Sequence, residues 1–222
     1  MSYTIAIDGP AGAGKSTIAK KVAKALSFIY VDTGAMYRAM ALFFLRQGIQ
    51  PEESEKIEAA CESIQVSISY ENGEQQVLLN GENVSGEIRR EEVGNMASKT
   101  SGNAKVREKL VALQRQLAQR ENVVMDGRDI GTQVLPDATA KIYLTASSEE
   151  RARRRFLELQ EKGMQGNLEE IEADIIDRDH RDMTREISPL KQAEDAVLVD
   201  ASHMTIEEVT RAVIQEFKKK AV

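Results

Sequence analysis

The stretch Gly9-Pro10-Ala11-Gly12-Ala13-Gly14-Lys15-Ser16-Thr17 fits the pattern G-x-x-x-x-G-K-[ST] and directly follows the apolar run Tyr3–Ile7. Glycines in this pattern let the backbone turn its N–H groups toward phosphate oxygens, and the helix that follows directs its positive dipole end at the same anion. Lys15 is expected to reach the β- and γ-phosphates of a triphosphate, and the Ser16 hydroxyl to ligate Mg²⁺. The stretch predicts a P-loop in which all residues from Gly9 to Thr17 belong to the ATP site. The alternative is a flexible glycine connection between two elements.

The rest of the chain alternates between strand-like and helical patterns. A helix is predicted directly after the P-loop, over Ser16–Leu26, because Ile18, Val22 and Leu26 recur at helical spacing. The strand-like runs are Tyr3–Ile7, Phe28–Val31, Val123–Met125, Ile142–Leu144 and Ala196–Val199. Strands separated by helices predict an α/β fold with a five-stranded parallel sheet covered by helices on both faces. Ligands of such sheets bind at the carboxyl ends of the strands.

One segment, residues 62–100, interrupts this alternation. Ile64, Val66, Ile68 and Tyr70 alternate with polar residues, which is the period of a half-buried strand. The pairs Asn72-Gly73 and Asn80-Gly81 are strong hairpin turn signals. The segment is predicted to be a small antiparallel insertion.

Composition limits the classes of function. The chain has 222 residues, 41% apolar and 30% charged, with a net charge of −6 and no basic tail. An acidic chain of this kind is a poor candidate for nonspecific nucleic-acid binding. No apolar run reaches the roughly 18 residues of a membrane span, and no signal-peptide pattern is present, so a cytoplasmic protein is expected. The single Cys61 excludes an intrachain disulfide.

Three polar groups could carry chemistry beyond triphosphate binding. The first is Asp32–Arg38, where a strand gives way to a helix; alternatively, Thr33 only caps that helix and Arg38 is a surface residue. The second is Asp126-Gly127-Arg128-Asp129, where apolar residues followed by Asp resemble a Walker B pattern, although Arg and Asp could simply form an ion pair.

The third group is rich in arginine. Arg151, Arg153, Arg154 and Arg155 crowd one predicted helix. Arg178, Arg181 and Arg185 share a face if their segment is helical, and like charges on one face favour an anionic partner. Two short arginine-bearing helices are typical of a lid that closes over triphosphate. Balance by neighbouring acidic residues is the alternative.

The two histidines are not expected to act as a general base. A phosphate acceptor at neutral pH is already deprotonated, so phosphoryl transfer to it requires positioning and charge neutralisation rather than proton removal. His180 and His203 are therefore predicted to be solvated surface residues.

Five motifs together resemble the bacterial cytidylate kinases, in order over almost the whole chain. They are Gly9–Ser16, Asp32-Thr33-Gly34-Ala35-Met36-Tyr37-Arg38, Val84-Ser85-Gly86-Glu87-Ile88-Arg89, Asp126-Gly127-Arg128-Asp129-Ile130-Gly131-Thr132 and Arg178-Asp179-x-x-Asp182-x-x-Arg185. The resemblance implies a P-loop kinase core formed by residues 1–61 and 101–222, with a helical lid at about 151–185. It also implies that residues 62–100 form a domain that binds the nucleoside monophosphate (NMP).

The implied reaction is transfer of the γ-phosphate of ATP to CMP or dCMP with Mg²⁺, by a monomer that binds neither nucleic acid nor membrane. By the same resemblance, Thr33 lies in the CMP site, while Arg38, Arg128 and Arg185 hold the CMP phosphate. Arg178 and Asp182 would hold the ribose, and Ser98, Arg107 and Asp129 would bind the cytosine. Lys15, Arg128, Arg154 and Arg185 are the expected catalytic residues, Arg154 being assigned to the transferring phosphate.

The cytosine assignment has a physical basis. Cytosine offers an amino donor that suits a carboxylate, and acceptors that suit arginine, whereas uracil reverses both. The nearest alternative is a P-loop kinase for another small molecule. A GTPase switch is a third possibility, but the Asn-Lys-x-Asp sequence that binds guanine does not occur in the chain.

Overall fold

The computed structural model describes residues 2–161 and 163–221. Its strands are β1 (Thr4–Asp8), β2 (Ile29–Asp32), β3 (Val66–Glu71), β4 (Glu74–Leu79), β5 (Glu82–Asn83), β6 (Val123–Gly127), β7 (Ala140–Thr145) and β8 (Val197–Asp200). Its α-helices are α1 (Lys15–Leu26), α2 (Thr33–Arg46), α3 (Ser54–Ser63), α4 (Glu91–Thr100), α5 (Ala104–Arg120), α6 (Ser148–Glu161), α7 (Leu168–Thr184) and α8 (Ile206–Lys220).

The main sheet has the strand order β2-β6-β1-β7-β8. β1 lies at its centre and pairs in parallel with β6 on one side and β7 on the other, and β7 pairs in parallel with β8. The predicted five-stranded α/β fold is therefore confirmed. Because β1 is central, the loop that leaves its carboxyl end is flanked by the ends of two neighbouring strands.

A core cluster packs α1 and α8 against the sheet. Ile5 and Ile7 of β1 point to the same side because strand side chains alternate, and both are fully buried. Helix α1 contributes Ile18 and Val22, at the helical spacing that the sequence indicates. This packing anchors the strand and helix that hold the P-loop between them.

A second sheet has the order β3-β4-β5, and its neighbouring strands pair in antiparallel fashion. Asn72 and Gly73 both have positive φ, at 52° and 79°, as a two-residue type I′ hairpin requires. The predicted hairpin is confirmed. Asn80 and Gly81, with φ of 50° and 85°, make the second turn.

The chain divides into two compact units. The first unit is Met1–Tyr30 with Glu121–Val222, and the second is Val31–Arg120. The second unit contains the predicted insertion, residues 62–100, and also α2, α3 and α5. The division into kinase core, monophosphate-binding insertion and lid concerns function, and it stays a prediction.

Helix α4 lies within the predicted antiparallel insertion, residues 62–100, where no helix was predicted. Val93, Met96, Ala97 and Thr100 are the buried residues of this segment, and their spacing is that of one helical face. The interior Gly94 lowers helix propensity and obscures the pattern in the sequence. Packing of the apolar face outweighs that penalty.

Two helix ends also differ from expectation. Thr33 is not the cap of α2: it is the first residue of that helix, and Asp32 is the N-cap, whose side chain accepts a hydrogen bond from the Ala35 N–H. Arg185 lies just beyond α7 as its C-cap, in an extended conformation, so it does not continue the helical face of Arg178 and Arg181. The predicted lid helices are 14 and 17 residues long rather than short.

Side chains cap the N-termini of two further helices. Thr205 and Glu208 form a complete capping box at α8, and the Glu150 N–H donates to Ser147 Oγ at the start of α6. In the segments that the structure describes, no helix combines the length and the apolar character needed to cross a membrane.

Candidate active site

The P-loop Gly9–Thr17 joins β1 to α1 in the first unit. Gly9, Gly12 and Gly14 have φ of 153°, 75° and 87°, which side chains rarely permit. A Cβ on Gly9 would lie 1.9 Å from the backbone oxygen of Leu144, so this position also requires close approach of two backbones. The loop therefore has the conformation that lets N–H groups surround a phosphate.

Lys15 lies buried within this loop, where its Nζ donates to the Pro10 carbonyl at 2.7 Å. Burial lowers the pKa of the Lys15 ammonium, and the Arg128 guanidinium lowers it further. A bound triphosphate would act in the opposite direction, because nearby negative charge favours the ammonium. The lysine is thus placed where anion binding relieves its unfavourable burial.

Ser16 and Asp126 bring two hard oxygen ligands together beside the loop. Ser16 Oγ donates to Asp126 Oδ2 at 2.8 Å, and the Tyr30 hydroxyl donates to Asp126 Oδ1 at 2.9 Å. Mg²⁺ in kinases is held by one or two such oxygens together with substrate phosphates and water. The donor set fits Mg²⁺, and Ser16 and Asp126 are the residues that could hold it. Tyr30 was not predicted from the sequence.

The acceptor loop, defined here as residues 127–131, follows β6 in the same unit. Arg128 Nε donates to Asp182 Oδ2 at 2.7 Å, and Arg185 Nη2 lies 3.7 Å from Asp129 Oδ1. Burial acts to raise the pKa of Asp182, but the charge and hydrogen bond of Arg128 outweigh it and hold that pKa below its usual range. Four residues of the predicted CMP site therefore lie together here.

Asp8 was missed by the sequence analysis. Its carboxylate is buried at the end of β1 and accepts the backbone N–H groups of Ile130 and Gly131, each at 2.7 Å. Burial raises the pKa of Asp8 to about 6. A signal was available, since Asp8 immediately precedes Gly9 at the carboxyl end of a predicted strand.

Among the lid arginines, Arg151 rather than Arg154 contacts the P-loop. Arg151 is buried, and its Nη1 donates to the Ala11 carbonyl at 3.0 Å and pairs with Asp179 Oδ2 at 2.6 Å. Arg154 binds Glu150 and the Ala201 carbonyl instead. The predicted role of Arg154 is not tested by these contacts, and Arg151 was not singled out from the sequence.

The second unit holds the predicted phosphate residue Arg38. Arg38 lies in the second turn of α2, and its Nη2 pairs with Oδ2 of the N-cap residue Asp32 at 3.1 Å. The Gln75 side chain of β4 makes two hydrogen bonds to the backbone of Asp32. Its Oε1 accepts from the Asp32 N–H at 2.9 Å, and its Nε2 donates to the Asp32 carbonyl at 3.2 Å. Thr33 is buried beside them. A side chain of the antiparallel sheet thus completes the hydrogen bonding at the end of β2.

Ser98 and Arg107, the predicted cytosine residues of this unit, lie on α4 and α5. Arg107 is buried; its guanidinium lies 5.7 Å from the Tyr37 ring centroid, and its Nη1 donates to the Ser101 carbonyl at 3.3 Å. Ser98 Oγ is buried and has no hydrogen-bond partner among the residues described. A buried hydroxyl in that state has hydrogen-bonding capacity left for a ligand.

His180 and His203 are both exposed. The expectation that they are surface residues is confirmed. Arg178 is partly buried on α7, and its charge is one of those that lower the pKa of Asp182.

A comparison with protein families identifies the group to which these residues belong. The family profile described as cytidylate kinase matches residues 5–219. The chain belongs to the cytidylate kinase family. A protein of Caldicellulosiruptor saccharolyticus named cytidylate kinase is 53% identical over 215 residues, covering 97% of this chain and 95% of its own. The Enterococcus faecalis protein of that name is 50% identical, covering 98% and 96%.

Solved structures of other kinases resemble this chain at the level of the fold. The gluconokinase of Sinorhizobium meliloti superposes with a TM-score of 0.51 at 14% identity, covering 98% of this chain and 92% of its own. The shikimate kinase of Bacteroides thetaiotaomicron gives 0.50 at 16% identity, covering 98% of each chain. At this identity the likeness concerns the fold, and it agrees with the predicted P-loop kinase architecture.

Proposed function

We propose that this protein transfers the γ-phosphate of ATP to CMP or dCMP, forming ADP and CDP or dCDP. The observation that carries the proposal is the acceptor loop, where the Asp129 carboxylate is buried, follows Arg128 in the chain and lies 3.7 Å from Arg185 Nη2. Two guanidinium groups suit a phosphate dianion, and a carboxylate suits the amino group of cytosine. The names of the relatives and the family profile support the same substrate.

ATP is held by the P-loop in this proposal. The backbone N–H groups of Gly9–Thr17 surround the phosphates, and Lys15 neutralises the oxygens that gain charge during transfer. Ser16 and Asp126 hold Mg²⁺, which when bound supplies charge neutralisation at the β- and γ-phosphates. Their 2.8 Å hydrogen bond keeps both oxygens oriented before the nucleotide arrives.

Each unit, taken by itself, has residues proposed to contact the acceptor. In the first unit, Arg128 and Arg185 contact the CMP phosphate and Asp129 the cytosine amino group, while Arg178 and Asp182 contact the ribose. In the second, Arg38 contacts the phosphate, and Ser98 and Arg107 the base, with Thr33 nearby. The Arg128–Asp182 and Arg38–Asp32 pairs hold these guanidinium groups in place, and each arginine has further donors for phosphate oxygens.

No general base is required. The second pKa of a phosphate monoester is about 6, so the attacking oxygen of CMP is deprotonated at neutral pH. Catalysis then consists of positioning and of charge neutralisation by Lys15 and the arginines, and Arg154 is proposed to contact the transferring phosphate. We also propose a cytoplasmic monomer, and the net charge of −6 disfavours a nucleic-acid partner.

An ADP-release assay with ATP and Mg²⁺ tests the function. CMP, dCMP, UMP, AMP, GMP and shikimate are supplied in turn as the acceptor. The proposal predicts turnover of CMP and dCMP, with UMP much weaker and the others inactive. Turnover of AMP or shikimate without turnover of CMP would overturn it.

A further inference from the structure

We infer that Asp8 is a positioning residue that fixes the acceptor loop, and with it Arg128 and Asp129, beside the P-loop. The inference deepens the proposed function and rests on it, because it states what holds the acceptor-binding residues in place. Asp8 is not assigned to bind either substrate.

The Asp8 carboxylate holds the acceptor loop by two hydrogen bonds, which we call the Asp8 clamp. The two oxygens of one carboxylate accept two consecutive backbone N–H groups, Ile130 to Oδ1 and Gly131 to Oδ2, both at 2.7 Å. Two hydrogen bonds to separate oxygens restrain both the position and the orientation of the backbone. Arg128 and Asp129 immediately precede these N–H groups, so the clamp acts on the segment that carries them.

The backbone on both sides explains why a clamp is needed. Asp129 has an irregular conformation, with φ −146° and ψ 26°, and the short helical turn Ile130–Val134 begins directly after it. The first N–H groups of such a turn have no carbonyl partner inside it, and the two residues that carry them, Ile130 and Gly131, are buried. Asp8 supplies their acceptors from β1, whose next residue is Gly9 of the P-loop.

Close packing leaves the carboxylate little freedom to move. A Cβ on Gly131 would lie 3.3 Å from Asp8 Oδ2 and 3.2 Å from Lys141 Cδ, so the loop backbone touches both side chains. Asp8 is itself only 5% exposed. The loop is therefore held in contact with the residue that precedes the P-loop.

Ionising an acid at this position is unfavourable, so filling space does not by itself explain why the residue is an aspartate. The Asp129 carboxylate opposes ionisation of Asp8, Lys15 favours it, and the half-buried Tyr143 hydroxyl faces the same group. Burial raises the pKa of Asp8 to about 6, which is an energetic cost of ionising it there. A carboxylate gives two acceptors for the two N–H groups, whereas an amide gives only one.

The test compares the KM for the phosphate acceptor, CMP, with the KM for the phosphate donor, ATP, in steady-state kinetics. Asp8→Asn replaces one acceptor oxygen by an NH₂ group opposite an N–H. We expect the KM for CMP to rise about tenfold and the preference for CMP over UMP to fall about tenfold, with the KM for ATP within about twofold of the starting protein. Displacement of Arg128 and Asp129 is the reason for both changes.

A second variant separates geometry from charge. Gly131→Ala keeps the Asp8 charge, but its Cβ would crowd Asp8 Oδ2 and Lys141 and push the loop away from them. We expect the same pattern with a smaller rise in the CMP KM. Glu208→Gln is the matched control, because Glu208 also accepts a backbone N–H, from Thr205 at 2.8 Å, but caps α8 instead. It should leave both KM values unchanged.

The inference is overturned if Asp8→Asn raises the KM for ATP as much as that for CMP, or changes neither. If Asp8→Asn does not fold, Gly131→Ala decides, and an unchanged CMP KM in that variant overturns the inference. If the unaltered protein phosphorylates a different acceptor, the proposed function fails. The variants are then judged by the KM for that acceptor against the KM for ATP.

Discussion

At the residue scale, the buried carboxylates of the first unit have different roles because their surroundings differ. Asp126 accepts two hydroxyl groups and is suited to a metal, Asp182 is paired with Arg128, and Asp8 accepts backbone N–H groups. Asp129 is buried with Arg185 Nη2 3.7 Å from its Oδ1, and it is the carboxylate proposed to recognise the base. Under the proposed function, the same residue type therefore serves metal binding, ion pairing, backbone positioning and base recognition.

Asp129→Asn tests base recognition. The carboxylate accepts from the amino group of cytosine, whereas an amide presents both a donor and an acceptor. We expect kcat/KM for CMP to fall about 10- to 100-fold and that for UMP to fall much less, because uracil has an acceptor in place of the amino group. Steady-state kinetics with both nucleotides measures this. Equal losses for CMP and UMP would show that Asp129 is structural.

The raised pKa of Asp8 predicts a pH dependence of stability. Its pKa is about 6 in the folded protein and about 4 in an unfolded chain, so the folded state binds the proton more tightly. The contribution of Asp8 to stability is complete below about pH 4 and is lost as pH rises through about 6. Lys15 and Asp129 face Asp8, so their own titration modulates the effect.

Denaturant unfolding of the unaltered protein and Asp8→Asn between about pH 4.5 and 7.5 measures this contribution. The free energy of unfolding of the unaltered protein minus that of the variant should fall with rising pH, by at most about 3 kcal/mol. Other titrating groups largely cancel in the difference. A difference that is flat, or that increases with pH, contradicts the assignment.

At the element scale, the carboxyl ends of the strands were predictable but their supports were not. Runs of apolar β-branched residues indicate the strands, and the glycines of the P-loop indicate the turn after β1. Gln75 carries no such signal, because a glutamine on a strand is usually a solvated residue. Its two hydrogen bonds to the Asp32 backbone depend on where β4 lies in the folded second unit.

Gln75→Ala removes both hydrogen bonds from the half-buried end of β2. We expect the free energy of unfolding to fall by about 1–3 kcal/mol, since the Asp32 N–H and C=O lose their partner. Gln76→Ala is the matched control, because the Gln76 side chain accepts from the exposed Asn83 side chain, at 3.1 Å, rather than from the Asp32 backbone. It should change stability by less than about 0.5 kcal/mol. Equal changes in the free energy of unfolding for the two variants would show that the hydrogen bonds of Gln75 to Asp32 add no stability.

At the scale of the whole molecule, the sequence predicts the α/β class, the antiparallel insertion and the family, but not every contact of the candidate site. Helix α4 was missed because Gly94 weakens its local signal, and Arg185 was placed on a helix that ends at Thr184. Arg151 could not be distinguished from its arginine neighbours, because only tertiary packing buries it against Ala11. Local patterns specify elements, whereas these contacts depend on packing between distant residues.

The most direct test of the central claim is kcat/KM for CMP, dCMP, UMP and AMP with ATP and Mg²⁺, in the unaltered protein and in Lys15→Ala. The account predicts values for CMP and dCMP at least about 100-fold above those for UMP and AMP, because two buried hydrogen-bond mismatches cost several kcal/mol. Lys15→Ala should lose turnover while keeping its circular dichroism spectrum. A protein that turns over AMP but not CMP, or a folded Lys15→Ala variant with undiminished turnover, would contradict the account.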